Sequence, residues 1–141
     1  MAAEIPDYAM AIGRAIKTVD PSLIYVALTG SEMEKAARKL DLPIACEAFV
    51  DRLYDDDGNL TSRKIEGAVI KDPQFAADRV VRMVLDQEII SRNGKRIPTR
   101  IDTLCVHGDE PTGVAVAQAA RDALQAAGVE LVTIPEMLAE R

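Results

Sequence analysis

Apolar residues recur along this chain in two rhythms. Ile5, Tyr8, Ala9, Ile12, Ile16 and Val19 fall at helical spacing and Pro6 suits a first turn. The spacing predicts a helix over 6–18, ended by Asp20-Pro21. LIYVAL (23–28) is a short continuous run rich in strand formers, the pattern of a strand buried on both faces. Ser31 with Glu34 forms a capping box for a helix over 32–41, whose apolar stripe is Met33, Ala36, Ala37 and Leu40. PIACEAF (43–49) predicts a second strand. Residues 50–72 hold no period and many turn formers, and irregular loops of that length are often functional. Asp72-Pro73 opens a helix with Ala76, Val80, Met83 and Val84 on one face, and Asn93-Gly94 marks a small hairpin. IDTLCV (101–106) predicts a third buried strand. Pro111 starts a last long helix lined by Val116, Ala120, Ala123, Leu124 and Ala127, with Gly128 as its stop. VELVTI (129–134) predicts a fourth strand.

Strands alternating with helices mean an α/β fold: a parallel sheet of about four strands joined by right-handed crossovers. The 141 residues make a single α/β domain, 1–141, and a chain of this length buries roughly 70% of its unfolded surface. No repeat or interdomain linker interrupts it.

Composition narrows the function classes. The net charge is −6 and aromatics are 4% with no Trp, so neither a basic face nor stacking platforms for nucleic acid are expected. No apolar stretch approaches the ~20 residues of a membrane span. The N-terminal MAAEIPDYAM has no basic n-region and no h-region of a secretory signal. A cytoplasmic location is the expectation. Cys46 and Cys105 lie in apolar runs without C-x-x-C spacing, and two buried free thiols are expected.

In parallel α/β folds ligands bind beyond the carboxyl ends of the strands. That rule selects three segments: Thr29-Gly30-Ser31; Glu47, Asp51, Arg52 and Tyr54; and His107, Gly108 and Asp109. Thr29-Gly30-Ser31 reads as a turn and a cap, or as helix-start amides for an anion, but not as a P-loop, since Gly-Lys-Ser/Thr is missing. Asp55-Asp56-Asp57-Gly58 fails as a calcium loop, because Leu53 and Lys64 would occupy acidic ligand positions. It reads as a solvated acidic turn. His107 is the one histidine, which excludes a multi-histidine metal site within the chain. A metal held by His107 with Glu47, Asp51 or Asp109 stays open. A general acid/base fits better, with Asp109 two residues on to orient or charge the ring.

CEAFVDRLYDDDGNLTSR, GAVIKDP, RVVRM and DTLCVHGDEP together resemble the LamB/YcsF family, whose pattern Glu-x-Phe-Ala-Asp-Arg-x-Tyr, Asp-Gly-x-Leu, Arg, Gly-Ala-Val-Ile and Asp-Thr-x-Cys-Val-His-Gly-Asp recurs here. Glu47, Phe49, Asp51, Arg52 and Tyr54 match its first motif; Asp57, Gly58, Leu60 and Arg63 the next; Gly67 to Ile70 and Asp102 to Asp109 the rest. Val50 replaces the usual Ala. Family members are nearly twice as long, and the Asp-Leu-Asn, Cys-Gly-Phe-His and Lys-Pro-His-Gly motifs of their first half are not found in this sequence. Met1 reads as an internal start, or the first half as a separate chain.

The resemblance implies the C-terminal half of a seven-stranded (β/α) barrel of the glycoside hydrolase/deacetylase type. Four strands cannot close a barrel, and open edges invite pairing. A chain supplying the missing half, self-association or an open sheet is therefore expected; without the resemblance, an open three-layer sandwich is. The implied activity is that of a 5-oxoprolinase: ATP-dependent opening of 5-oxo-L-proline to L-glutamate, with ATP as cofactor and 5-oxoprolinase subunits B and C as partners. Residue roles follow as expectations. His107 would be the acid/base, oriented by Asp109. Asp51 or Glu47 would activate water or hold the ring nitrogen. Arg52 and Arg63, with Tyr54 and the Thr29-Gly30-Ser31 turn, would bind carboxylate or phosphate, although Arg52 could instead pair with Asp55 or Asp56 on the surface. Two other readings compete: a catalytically incomplete binding or structural module, and a metal-dependent amide hydrolase of the deacetylase type.

Overall fold

The computed structural model describes residues 1–140. In chain order the elements are α1 (Pro6–Val19), β1 (Tyr25–Leu28), α2 (Glu32–Lys39), β2 (Ile44–Phe49), α3 (Pro73–Asp86), β3 (Glu88–Ile90), β4 (Arg96–Pro98), β5 (Thr103–Cys105), α4 (Gly113–Ala126) and α5 (Ile134–Ala139). The parallel sheet has the order β1-β2-β5, with Leu28 opposite Glu47 and Phe49 opposite Cys105. All three strands end at one rim, so the residues following Leu28, Phe49 and Cys105 emerge together. Asp102 fixes the opposite end: its carboxylate accepts the Cys46 N–H at 2.8 Å and its own N–H donates to the Cys46 carbonyl at 2.8 Å.

The helices cover one face of the sheet, the face of Tyr25, Ala27, Ala48 and Leu104. α3 and α4 meet over Val50, Ile70, Ala76, Val80, Val116 and Leu124. On the β1 side, Tyr25, Ala27, Ala37 and Leu42 form a smaller cluster. α1 approaches it closely at Gly13, where a Cβ would stand 2.6 Å from Leu40 Cδ1. The 50–72 loop is pinned by bridges between Arg52 and Val69 and between Tyr54 and Leu60. Its acidic turn is docked rather than merely solvated. Asp55 pairs with Arg92 at 2.7 Å, and Asp56 accepts from Ser91, Asn93 and Lys95 of the β3–β4 hairpin.

The sheet is narrower and more open than the apolar runs predict. β1 is an edge strand: Tyr25 and Ala27 are buried, whereas Val26 is 37% exposed. β5 is half-buried throughout. The predicted fourth strand over 129–134 is absent from the sheet, with Leu131 and Val132 nearly half exposed. Local signals compete there. Thr133 and Glu136 form a reciprocal capping box and Pro135 sits in the first turn, so α5 begins at Ile134. Upstream, Gly128 takes a φ of +79° and closes α4, its N–H donating to Gln125 O and that of Val129 to Leu124 O, each at 3.0 Å; this pair of bonds stops the helix. α4 itself starts at Gly113, two residues later than Pro111 suggests. Between β5, α4 and the 129–134 segment runs an apolar groove of about 630 Å³. Among the described residues no helix is long and apolar enough to cross a membrane.

Cys46 is fully buried and Cys105 half-buried; both are free thiols. Burial, then the Glu34 and Asp102 charges, pushes the Cys46 thiol from 9.0 up to about 12. The folded state thus resists ionisation that the unfolded chain permits. The stability this represents is complete below pH 9.0 and is lost as pH climbs towards about 12. Cys46→Ala is expected to flatten that alkaline loss: melting temperatures measured at about pH 8 and about pH 10.5 converge in the variant relative to the parent.

Candidate functional site

β2 and β5 deliver the centre of the site. Beyond Phe49 the chain extends the ladder once more, Val50 N–H donating to Cys105 O at 3.0 Å. Asp51 then turns inward, 3% exposed. Its carboxylate grips His107 twice. Oδ2 accepts the His107 backbone N–H at 3.0 Å, and the ring Nδ1 lies 2.9 Å from Oδ1 and 3.0 Å from Oδ2. A buried carboxylate accepting at Nδ1 places the neutral ring's proton there and leaves the Nε2 lone pair as the base. The Phe49 ring stacks on the imidazole, centroids 5.3 Å apart and planes 20° from parallel. Ring orientation is therefore set from two directions.

Glu47, still within β2, completes this centre. Burial raises its carboxyl above the ordinary range, and the positive charge of a protonated His107 draws it partly back. Cys105 shares the environment: burial, then the Glu47 and Asp51 charges, pushes its thiol up. The arrangement offers an oriented imidazole base beside a carboxyl that keeps its proton to higher pH than usual, a combination suited to moving two protons. No group of three or more His, Cys, Asp or Glu side chains is placed to hold a metal among the described residues.

Several expectations are corrected by the geometry. Asp109 does not orient His107: it is exposed and paired with Arg63 at 2.7 Å, and the Arg63 hydrogen bond holds its carboxyl below the usual range. Asp51 takes the orienting role, because it emerges from the neighbouring strand facing the ring. Arg52 is not paired with Asp55 or Asp56 on the surface. It is 7% exposed, its Nη2 donates to Thr61 O at 2.6 Å, and its Nε has no partner. Tyr54 cannot wall a binding site, since it has no exposed surface. Its hydroxyl accepts the Phe49 N–H at 2.8 Å, and burial pushes it up to about 12.

The Thr29-Gly30-Ser31 turn has no amide to offer an anion. Gly30 N–H donates to Glu34 Oε2 at 2.7 Å and Ser31 N–H to Leu28 O at 3.3 Å. The Ser31 hydroxyl caps α2, and Thr29, 2% exposed, bonds Thr99 and the Arg100 carbonyl. The capping box is thus altered, with Glu34 reaching Gly30 rather than Ser31.

Two contributors have no role in the sequence reading, although Arg79 opens the RVVRM stretch that carries part of the family resemblance. Arg79 lies on the apolar face of α3, at helical spacing between Ala76 and Met83, and is buried. A cation on an apolar stripe was the available signal. Gly113 is the other: a Cβ there would sit 2.5 Å from the His107 carbonyl oxygen. No sequence signal marks that approach, which joins α4 to the turn after β5. Gly113→Ala is expected to destabilise the fold by about 1–3 kcal/mol, because a backbone atom must give way. Urea unfolding measures it; an unchanged midpoint counts against the close approach.

Comparison with known proteins supplies the context. The LamB/YcsF family matches residues 1–139. The protein named as the second A-type 5-oxoprolinase subunit of Bradyrhizobium diazoefficiens is 51% identical over 123 residues, covering 87% of this chain and 48% of the relative. The A-type 5-oxoprolinase subunit of Halalkalibacterium halodurans is 42% identical over 138 residues, covering 98% and 54%. The crystal structure of a lactam utilization protein from Thermus thermophilus superposes with a TM-score of 0.81 at 42% identity, covering 92% of this chain and 51% of that one. The chain spans about half the length of the curated relatives it matches. With the family matched from residue 1 to residue 139 and the fold shared with a solved relative, this chain belongs to the LamB/YcsF family.

Proposed function

We propose that this chain forms the C-terminal half of the catalytic unit of a 5-oxoprolinase, opening 5-oxo-L-proline to L-glutamate within an assembly of several chains. The observation that carries this reading is the imidazole of His107, held by Asp51 and stacked on Phe49 at the sheet rim. The relatives named as A-type 5-oxoprolinase subunits, and the one named a lactam utilization protein, support the substrate class.

An unstrained lactam is a resonance-stabilised amide and a poor electrophile. Water must lose a proton as it adds to the carbonyl carbon, and the ring nitrogen must gain one as the C–N bond breaks. His107 Nε2 takes the first proton and returns one to the nitrogen. Asp51 stabilises the imidazolium formed in between. Glu47 holds the ring nitrogen by a hydrogen bond during these transfers.

ATP, where the assembly binds it, would activate the lactam by phosphorylating its oxygen; C–N cleavage after water addition then leaves an acyl phosphate, and a second water releases inorganic phosphate to give glutamate. The described residues do not make a triphosphate cradle: the Gly30 and Ser31 amides are engaged, Arg52 is buried, and Arg63 is paired with Asp109. The steps derived for this chain are accordingly the proton transfers alone. Subunits B and C, and a chain supplying the family's first half, are the partners of this reading. The free edge of β1, whose Val26 is exposed, is the surface that the first half would cover.

The test is glutamate formation from 5-oxo-L-proline by this chain alone, with the complementary half, and with B- and C-type subunits, each with and without ATP. Turnover confined to the complete, ATP-supplied set is expected. Opening without ATP transfers the chain to the metal-dependent amide hydrolases. Ligand binding without turnover in the complete set makes it a binding module.

A further inference from the structure

We infer that Arg79 is a positioning residue of the Asp51–His107 pair, fixing the end of β2 from behind and setting a buried positive charge against the Asp51 carboxylate. The inference rests on the proposed role of that pair and adds a member from a different element. Arg79 comes from α3, and its Nη1 donates to the Phe49 carbonyl at 3.0 Å and to the Val50 carbonyl at 3.1 Å. Those carbonyls belong to the two residues immediately before Asp51. The guanidinium lies over the Tyr54 ring, 5.4 Å from its centroid. The Tyr54 hydroxyl in turn holds the Phe49 N–H. One cation and one phenol thus clamp both backbone groups of Phe49, the residue whose ring stacks on His107.

Stability alone gives a poor account of this cation. It is 9% exposed, no carboxylate is hydrogen-bonded to it, and its Nη2 has no partner. Burial penalises the charge, and only Tyr54 and Asp51 offset that penalty electrostatically. A buried cation without a salt-bridge partner is expensive, and an apolar side chain of similar volume would pack there at lower cost. What the cation does supply is a fixed field at Asp51. Asp51 in turn holds His107 at its backbone N–H and at Nδ1, so the field reaches the imidazole through that carboxylate.

The other charged groups around the pair are on different elements. Arg52 and Arg63 of the 50–72 loop and Cys105 of β5 interact electrostatically with Asp51. Glu47 of β2 and Asp109 of the turn after β5 interact with His107. None of them holds the Phe49 and Val50 carbonyls.

Because His107 is the one histidine, its imidazole gives a single, assigned set of NMR signals, and its titration can be followed in the chain without substrate. Arg79→Gln keeps an N–H donor for the carbonyls and drops the charge; Arg79→Lys keeps the charge. In Arg79→Gln the His107 titration midpoint is expected to rise by about half a unit or more, and in Arg79→Lys to stay within about a quarter unit of the parent. In the complete assembly Arg79→Gln lowers kcat ~10-fold or more with KM within about threefold. A folded Arg79→Gln chain whose His107 titrates as in the parent overturns the inference. If Arg79→Gln does not fold, Arg79→Met takes its place: a risen His107 midpoint in a folded Arg79→Met chain supports the inference, and a parental one overturns it. A shifted midpoint in a chain that never turns over 5-oxoproline retires the proposed function and leaves this electrostatic coupling standing.

Discussion

His107→Ala in a complete, ATP-supplied assembly lowers glutamate formation ~100-fold or more, the usual worth of a positioned acid/base group. Asp51→Asn is expected to do comparable damage without removing any bulk. The carboxylate accepts from both the backbone N–H and Nδ1 of His107. An amide can still accept from one of them, but it turns an N–H towards the ring. The imidazole then meets a donor at Nδ1, and the tautomer with its lone pair at Nε2 is no longer favoured. KM should change little for either variant, since the loss is in the proton transfers. Asp109→Asn provides the contrast: its partner is the exposed Arg63, and an exposed, solvent-screened ion pair contributes little, so at most a few-fold loss follows. Near-normal turnover by His107→Ala removes the imidazole from the mechanism, whatever the other variants do.

Tyr54→Ala is expected to cost about 4 kcal/mol of unfolding free energy. Tyr54 is among the largest side chains with no exposed surface and packs with Ala48, Met83 and Ile89. Its loss also strips the Arg79 guanidinium of its aromatic partner and the Phe49 N–H of its acceptor. Tyr54→Phe separates these effects. It keeps the packing and the ring under Arg79, and leaves one buried N–H unmet for about 1–3 kcal/mol. Urea denaturation measures both. A residue that bound substrate would show itself instead in KM, with stability nearly unchanged; that result would return Tyr54 to the site wall.

These two predictions diverge although Asp51 and Tyr54 come from one motif three residues apart. Burial explains it. Both side chains are almost fully enclosed, but Asp51 is enclosed against His107 whereas Tyr54 is enclosed against α3 and β2. The motif alone groups them as one functional unit. Their contacts divide them into a part that meets the reacting groups and a part that holds those groups still.

The periodicities by themselves determined α1, β1, α2, β2, β5 and α4 to within about two residues, the start of α3 and the hairpin at Asn93-Gly94, and hence the common rim at which the parallel strands end. Those features follow from neighbours a few residues apart, which sequence records directly. Motif resemblance placed the chain in its family before any contact was known. Which carboxylate orients His107 was decided only by tertiary structure, because sequence proximity favoured Asp109 while strand adjacency delivered Asp51 from 56 residues away. The same holds for the occupied amides of the Thr29-Gly30-Ser31 turn, the buried Arg79 behind β2 and the close approach at Gly113. The 129–134 run stayed out of the sheet for a related reason: an apolar alternation states that a segment can be a strand, but a free edge and cover on both faces decide whether it becomes one.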